Sequence, residues 1–149
     1  MQRWLLKTEP RAFSMDDLVA HKVEPWDGVR NYQARNFIRS MRRGDPVLIY
    51  HSACPRPGVA GLAKVASAPR PDPTQFDPAN LHYDAASTTD APRWTLVDVR
   101  CVRRLRRTIT LDEIKALGGL GEFALTRRGN RLSVLPVTDA QWQAILQLE

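Results

Sequence analysis

The chain has 149 residues, 43% of them apolar and 26% charged, which is the length and composition of one globular domain. A chain of this size buries about 70% of its unfolded surface on folding, so it needs neither a metal nor a disulfide framework. Its two cysteines, Cys54 and Cys101, form no zinc motif and suit a reducing compartment. Because no stretch approaches the roughly 18 apolar residues of a membrane span and no secretion signal is recognisable, we expect a cytoplasmic protein.

The charge gives the first functional indication. The chain has 22 lysines and arginines against 16 acidic residues, a net charge of +6 at pH 7. Such a surface attracts phosphate polyanions without any sequence code, which favours a nucleic-acid partner. Only four of the basic residues are lysines, however, and an arginine bias also arises from genome base composition. Composition alone therefore does not decide whether the positive charge serves nucleic-acid binding or only reflects genome base composition.

The first half of the chain predicts an alternation of strands and helices. Residues 1–9 hold a short apolar core that ends before a proline, which indicates a strand. Ser14 is placed to cap a short helix, and a longer helix with an apolar stripe begins near Asn31. Residues 46–51 are apolar up to a final histidine, as in a central strand, and a further strand is expected over residues 59–65.

The middle of the chain is rich in proline. Five of the 11 prolines lie between residues 66 and 92, which predicts a long ordered loop without strand ladders. Residues 94–107 then alternate as a long, half-exposed strand. Arg103 and Arg107 interrupt the apolar face of this strand, so we expect it to leave the core there.

The last part of the chain carries two capping boxes. Thr110 with Glu113 predicts a helix through residue 117, and Thr138 with Gln141 predicts a C-terminal helix. A last strand is expected over residues 132–137 between them. The order of all these elements predicts an α+β fold with a mixed, barrel-like sheet.

The residue types that usually carry catalysis or metal binding form no pattern here. His51 and Ser52 are neighbours on a predicted strand and therefore point to opposite faces, so they do not form a nucleophile and base pair. His21 and His82 are isolated, and no metal-ligand spacing, phosphate-binding loop or dinucleotide motif is present. We therefore predict no catalytic residue, no metal and no cofactor.

An arginine-rich strand is a candidate for nucleic-acid binding. Residues 100–107 contain five arginines, and Arg100, Arg104 and Arg106 are placed to contact a phosphate backbone from one face. The same charges are equally explained as a solvated strand edge that avoids pairing with another chain. Both interpretations stay open.

The run from Trp26 to Asn36 is the most unusual part of the sequence. It combines an aromatic ring, a glycine, a carboxylate, amides and two arginines at the start of a predicted helix. Such a mixture suits a planar ligand, because Trp26 offers a stacking face and amides such as Asn31 or Gln33 can bond the edge of a base. Alternatively, Trp26 and Tyr32 are core aromatics and Asn31 is a helix cap.

The chain resembles the EVE-domain family over nearly its whole length. The resemblance is carried by the segments at residues 4–10, 26–36, 50–52, 57–58, 71–76, 82–84, 92–94, 97–99 and 131–134. It implies a single EVE domain over residues 1–149, with the PUA-like fold of a mixed β pseudo-barrel, flanking helices and a pocket on the surface. EVE domains are similar to YTH domains, which bind methylated adenine in RNA, and are associated with modified bases, above all modified cytosines in DNA.

The resemblance also implies which residues form the pocket. Trp26 supplies a wall and Asn31 a hydrogen bond to the base edge, with Tyr32 and Arg35 nearby. On electrostatic grounds we expect Arg30, Arg35 and members of the arginine-rich strand to attract phosphates around the mouth. The other residues that the resemblance places at the pocket or its rim are Gly28, Val29, Lys7, Glu9, His51, Ser52, Tyr83, Asp84 and Trp94.

The leading hypothesis is a non-enzymatic module that binds a modified nucleobase in DNA or RNA, with modified cytosine placed before methyladenine and no membrane or metal partner. One alternative is an enzyme that acts on a modified base or nucleotide through His51, Asp84 and Glu9. Another is a structural RNA-binding module of the PUA-like type that recognises RNA shape through its arginines. The oligomeric state is not predicted.

Overall fold

The helices and strands lie close to the positions that the sequence predicts. The computed structural model describes all 149 residues. The helices are α1 (Met15–His21), α2 (Tyr32–Ser40), α3 (Leu111–Lys115) and α4 (Asp139–Leu146). The strands are β1 (Arg3–Thr8), β2 (Val23–Pro25), β3 (Pro46–His51), β4 (Gly58–Val65), β5 (Arg70–Pro71), β6 (Thr95–Leu96), β7 (Asp98–Thr110) and β8 (Val134–Val137). None of the helices combines the length and apolar character needed to cross a membrane.

Six of the strands form one sheet in the order β2-β7-β4-β3-β1-β8. Strands β1 and β3 are parallel, with Leu5 opposite Leu48, and every other pair in this sheet is antiparallel. The sheet curls into a half-barrel, while β5 and β6 form a separate two-stranded ladder. The predicted α+β fold with a mixed, barrel-like sheet is therefore confirmed.

Each side of the curled sheet has its own hydrophobic core. Because side chains alternate along a strand, Trp4 and Leu6 of β1 pack on the side of α1 and α2, while Leu5 packs on the side of α3 and α4. The central strands are buried on both faces, which explains their continuously apolar sequences.

The helix starts follow from local hydrogen bonds. The capping boxes predicted at Thr110 and Thr138 are both present, and Ser14 makes a third one with Asp17. The Asn31 side chain caps α2 by accepting from the backbone N–H of Ala34 at 3.0 Å. Helix α3 ends at Lys115, earlier than predicted.

Strand β7 corrects one prediction. It does not leave the core at Arg103 but continues to Thr110. Its first half contributes Val99 to the α1–α2 core, and its second half contributes Leu105 and Ile109 to the α3–α4 core. The pairing of β7 with β4 shifts register between these two halves. The strand therefore passes from one hydrophobic core to the other, whereas the alternation of its side chains predicts that it leaves the core.

The proline-rich segment is an ordered loop, as predicted, but the expectation that it contains no strand ladder is wrong. Arg70 and Pro71 pair with Leu96 and Thr95. The ladder has only two strands, so both are edge strands, where the missing N–H of a proline is tolerated.

Candidate functional site

A cavity of about 320 Å³ opens where the end of β1 meets the segment that follows β2. We call it the β1–β2 cavity. Its volume is at the small end of the range for small-molecule sites and suits a single ring system. The predicted residues that line it are Lys7, Glu9, Trp26, Gly28, Val29 and Arg30.

Trp26 forms a wall of the cavity and also belongs to the hydrophobic core. The residue is only 8% exposed, and its ring meets Phe13 edge to face with 5.9 Å between the centroids. Its backbone N–H donates to the carbonyl of Val97 at 2.9 Å, which ties it to the chain entering β7. Trp26 is therefore both a core aromatic residue and a wall of the cavity, and the two interpretations do not exclude each other.

Gly28 allows the chain to turn closely against His82. Its φ of +84° lies in the left-handed region, which glycine adopts without steric cost. A Cβ atom at this position would lie 2.6 Å from Nε2 of His82. Glycine is therefore required for His82 to close this side of the cavity.

Asp72 is a buried residue that holds the Gly28 turn of the cavity wall in place. Its fully buried carboxylate accepts from the N–H groups of Gly28 and Thr74, both at 2.8 Å, and from the Thr74 hydroxyl at 2.6 Å. Burial on its own raises the pKa of Asp72, but the hydrogen bonds from Thr74, Gly28 and Arg30 outweigh it and lower the pKa below its usual value. The ionised carboxylate thus holds the glycine turn in place.

The guanidinium group of Arg30 is fully hydrogen-bonded within the protein. Its guanidinium pairs with Asp72 at 3.0 Å and also donates to the carbonyls of His82 and Val29 and to the Thr74 hydroxyl. These bonds use every N–H group that an arginine side chain has. The expectation that Arg30 attracts a phosphate is therefore not supported, because its donors are already paired.

The charges in the cavity are mixed. Glu9, Glu24 and Asp27 line it together with Lys7. Desolvation, and then the negative charge of Asp72, raises the pKa of Asp27, while burial lowers the pKa of Lys7. The shift of Asp27 indicates that the walls exclude part of the water. With several carboxylates and few free cations, the cavity suits a neutral ring with hydrogen-bonding edges better than a phosphate.

Several predicted residues form a stack outside the cavity. The rings of Tyr32 and Trp94 are stacked with 4.9 Å between centroids, Arg35 lies 4.8 Å from the Tyr32 centroid, and Arg30 lies 5.5 Å from that of Trp94. The Trp94 indole N–H donates to Asp84 at 2.7 Å. These contacts join helix α2 to the proline-rich loop and reach the cavity wall through Arg30, the one member that lines the cavity.

The remaining predicted residues also lie away from the cavity. Asn31 uses its side-chain oxygen to cap α2, and Nε2 of His51 accepts from the backbone N–H of Met15 at 3.0 Å. Ser52 donates its backbone N–H to the carbonyl of Thr8, and Tyr83 lies exposed on the loop. Ligand contacts by these residues stay predictions.

The residues of the enzymatic alternative are not assembled around the cavity. Glu9 lines it, whereas His51 bonds the start of α1 and Asp84 bonds Trp94. No group of three or more His, Cys, Asp or Glu residues has an arrangement that could hold a metal ion.

Sequence reasoning misses about half of the lining residues. Asp27 stands inside the run at 26–36 and His82 inside the motif at 82–84, so membership of those motifs is the signal that could have identified them. The same signal applies to Thr8 in the motif at 4–10 and to Ser133 in the motif at 131–134. No sequence signal marks the remaining lining residues, which lie in separate segments that fold together: Phe13, Glu24 and Pro25.

The arginine-rich strand is largely neutralised by acidic neighbours. Arg103 pairs with Glu149, Arg104 with Asp16 and Arg107 with Glu113, each at 2.7–2.9 Å. Those three guanidinium groups are therefore engaged within the protein.

Arg100 and Arg106 form no ion pair through their side chains. They are the members of this strand that remain available to a phosphate. A backbone contact by Arg100, Arg104 or Arg106 stays a prediction.

Comparison with known proteins places the chain in a family. The family model of the EVE domain matches residues 2–148. Thymocyte nuclear protein 1 of Mus musculus is 44% identical over 165 residues, which cover 98% of this chain and 73% of that protein.

Solved structures agree with this match. A protein from Pseudomonas syringae is 45% identical with a TM-score of 0.95, and the match covers 98% of each chain. The human THYN1 protein in complex with DNA containing 5-methylcytosine is 41% identical with a TM-score of 0.91, covering 99% of this chain and 97% of that one. As its motifs predict, the chain belongs to the EVE domain family.

Proposed function

We propose that this chain is a single EVE domain that binds a modified cytosine of DNA in the β1–β2 cavity and leaves the base chemically unchanged. The observation that carries the proposal is the cavity itself, which combines the volume of one ring, an aromatic wall and hydrogen-bonding side chains such as Glu9 and Asp27. The human relative whose complex contains 5-methylcytosine DNA supports the same ligand class.

The energetics of such a site are feasible. Taking a base out of a duplex costs a few kcal/mol, and stacking on an aromatic side chain returns about 1 to 3 kcal/mol. A buried methyl group adds only about 0.8 kcal/mol. Selectivity for a modified base therefore depends on shape and on hydrogen bonds to the base edge as well as on apolar contact.

Asp27 is the side chain best suited to recognise the cytosine edge. Asp27 lines the open edge of the cavity between Trp26 and Gly28, and carboxylates accept from the exocyclic amino group of cytosine. A thymine ring presents a carbonyl at that position, which a carboxylate repels. We therefore assign to Asp27 the selection of cytosine over thymine, and to the apolar wall the preference for the modified form.

The proposal is tested by competition binding with duplexes that carry cytosine, 5-methylcytosine, 5-hydroxymethylcytosine or N6-methyladenine at one position. We expect Asp27→Ala to lower the affinity for the methylcytosine duplex by about five- to a hundredfold, since one base-edge bond contributes about 1 to 3 kcal/mol. Asp90→Ala is the matched control, because Asp90 is exposed on the loop and lines no part of the cavity.

Other outcomes would select the alternatives. Equal affinity of the wild-type protein for all four duplexes, with tighter binding to RNA, would support a structural RNA-binding module. Mass analysis of recovered nucleosides tests for catalysis, and a changed base would establish an enzyme.

Trp26→Phe is preferable to Trp26→Ala for probing the aromatic wall of the cavity, since deleting a buried indole costs about 3 to 5 kcal/mol of stability.

A further inference from the structure

The β1–β2 cavity has no place for the phosphates that flank a bound base. Its carboxylates, Glu9, Glu24 and Asp27, repel a phosphate, and the donors of Arg30 are already used. Nucleic-acid binding needs lysines and arginines that can replace the counterions of the backbone. A base in the cavity therefore requires a separate cationic surface close by.

A concentration of free positive charge lies in the loop that leads into β8. Arg127, Arg128 and Arg131 are exposed there, and none of them forms an ion pair. The loop is a defined turn, in which the N–H of Asn130 donates to the carbonyl of Arg127 at 3.2 Å and Gly129 adopts a φ of +76°. We call residues 127–131 the basic loop.

A groove of about 750 Å³ connects the basic loop with the end of β1. It is lined by residues 125–130 together with Lys7, Tyr50, Leu111 and Lys115, so apolar side chains form part of its floor and the cations stand along it. Lys7 lines both this groove and the β1–β2 cavity, and its ammonium group lies 5.7 Å from the centroid of the Tyr50 ring. The groove and the cavity therefore share Lys7, whose ammonium group lies beside Tyr50 of the groove.

The end of the basic loop is tied to the cavity directly. The carbonyl of Ser133, a residue that lines the cavity, accepts from the backbone N–H of Lys7 at 2.9 Å. A second groove of about 380 Å³ lies against the same loop and reaches Gln33 and Phe37 of helix α2. The basic loop thus stands between two grooves, one of which adjoins the cavity.

We propose that the basic loop, with Lys7 and Lys115, binds the phosphates adjacent to the base held in the β1–β2 cavity. This inference rests on the proposed function, since it assigns the backbone path of the same nucleic acid. The occupant is a polyanion because the surface offers several unpaired cations, and none of the large apolar side chains that the protein exposes lies in the loop. Strand β7, for which the sequence leaves phosphate binding and a solvated edge equally open, has three of its five arginines paired with carboxylates.

The dependence of affinity on salt concentration tests the proposal. The probes are one labelled duplex with a single 5-methylcytosine and the same duplex with cytosine. The slope of log affinity against log salt reports the number of phosphate contacts, about 0.9 for each contact with B-form DNA. We expect Arg127→Gln with Arg128→Gln to reduce the slope by about 2 and to weaken binding of both duplexes by the same factor.

The matched control is Arg42→Gln with Arg43→Gln, which removes the same charge from two exposed arginines that form no ion pair and line neither groove, and it is expected to leave the slope unchanged. Arg100→Gln with Arg106→Gln tests the competing prediction that β7 contacts the backbone. An unchanged slope for the loop variant, or a loss confined to the β7 variant, would overturn the proposal. The ratio of affinities for the two duplexes reports on the cavity separately. A wild-type ratio of one together with a reduced slope in the loop variant would reject the modified-base function and retain the loop as the backbone contact. Equal melting temperatures of all variants exclude misfolding as the cause.

Discussion

Asp27 and Asp72 are two carboxylates of one site whose pKa values are shifted in opposite directions. Asp27 lines the cavity, where desolvation and the charge of Asp72 raise its pKa. Asp72 is more deeply buried, yet hydrogen bonds from Thr74, Gly28 and Arg30 lower its pKa. The environment thus keeps Asp72 ionised as a structural acceptor and leaves Asp27 responsive to pH and to a ligand.

We predict that binding of the methylcytosine duplex weakens on acidification at a higher pH than an ordinary aspartate would cause. The carboxylate accepts from the base in its ionised form, and its raised pKa means that it gains a proton as the pH falls while ordinary aspartates are still ionised. Anisotropy titrations from about pH 8 to about pH 5 measure the effect. Asp27→Ala should flatten this dependence, and a wild-type affinity that rises on acidification would show that Asp27 acts as a donor instead.

At the scale of elements, the proline-rich loop depends on one buried amide. Nε2 of Gln75 donates to the carbonyls of Asp72 and Trp94 at 2.6 and 2.9 Å. Its Oε1 accepts from the Ser87 hydroxyl at 2.6 Å and from the N–H of Trp94 at 3.0 Å. All the hydrogen-bonding capacity of the amide is satisfied, which orders a loop that has almost no regular secondary structure.

Replacing Gln75 by Leu should loosen this loop without unfolding the sheet. The substitution leaves several buried groups unpaired, at about 1 to 3 kcal/mol for each. We expect amide hydrogen exchange to accelerate across residues 77–94 while β1 and β3 stay protected, and binding of the methylcytosine duplex to weaken because His82 loses its support. Gln143→Leu, on the exposed side of α4, is the control. Uniform loss of protection through the sheet would contradict this account.

The elements also show which features can be predicted from sequence. Capping boxes are encoded by two side chains three residues apart, so Thr110 and Thr138 identify helix starts without knowledge of the fold. The exit of β7 at Arg103 is predicted wrongly, because the alternation assumes one core and the strand serves two. The residues of the cavity split in the same way. The glycine turn is visible in the motif at 26–36, whereas Phe13 lies in no such motif and reaches the cavity only through long-range packing.

At the scale of the whole molecule, the net charge does not indicate which part of the surface carries unpaired positive charge. The sum of +6 combines a cavity lined by carboxylates, a strand with most of its arginines paired and a loop with free arginines. Composition cannot separate these regions, and the density of arginines along the sequence favours the strand. Which arginines are free depends on acids that are distant in sequence, such as Asp16 and Glu149.

The pH dependence of stability is likewise a property of the whole fold. Several carboxylates have pKa values lowered by hydrogen bonds, among them Asp72 and Glu149, whose pKa is lowered to about 2 by Arg103 and the backbone N–H of Arg106. A carboxylate with a lowered pKa stabilises the fold above its unfolded value near 4, and this stabilisation is lost as the pH falls through the folded value. His51 differs, since burial lowers its pKa and Nε2 must stay unprotonated to accept from Met15 at the start of α1.

Acid should therefore reduce stability in two stages. The pKa of His51 is about 6.5 in the unfolded chain and lower in the folded protein. Between these two values the unfolded state binds more protons than the folded state, so the free energy of unfolding decreases as the pH decreases. The carboxylates add a second loss below about pH 4. His51→Gln keeps an acceptor for the Met15 N–H but cannot be protonated, so melting curves of this variant should lose the first stage and keep the second. His21→Gln, at the exposed end of α1, should keep both stages, and a first stage that persists in His51→Gln would assign it to another group.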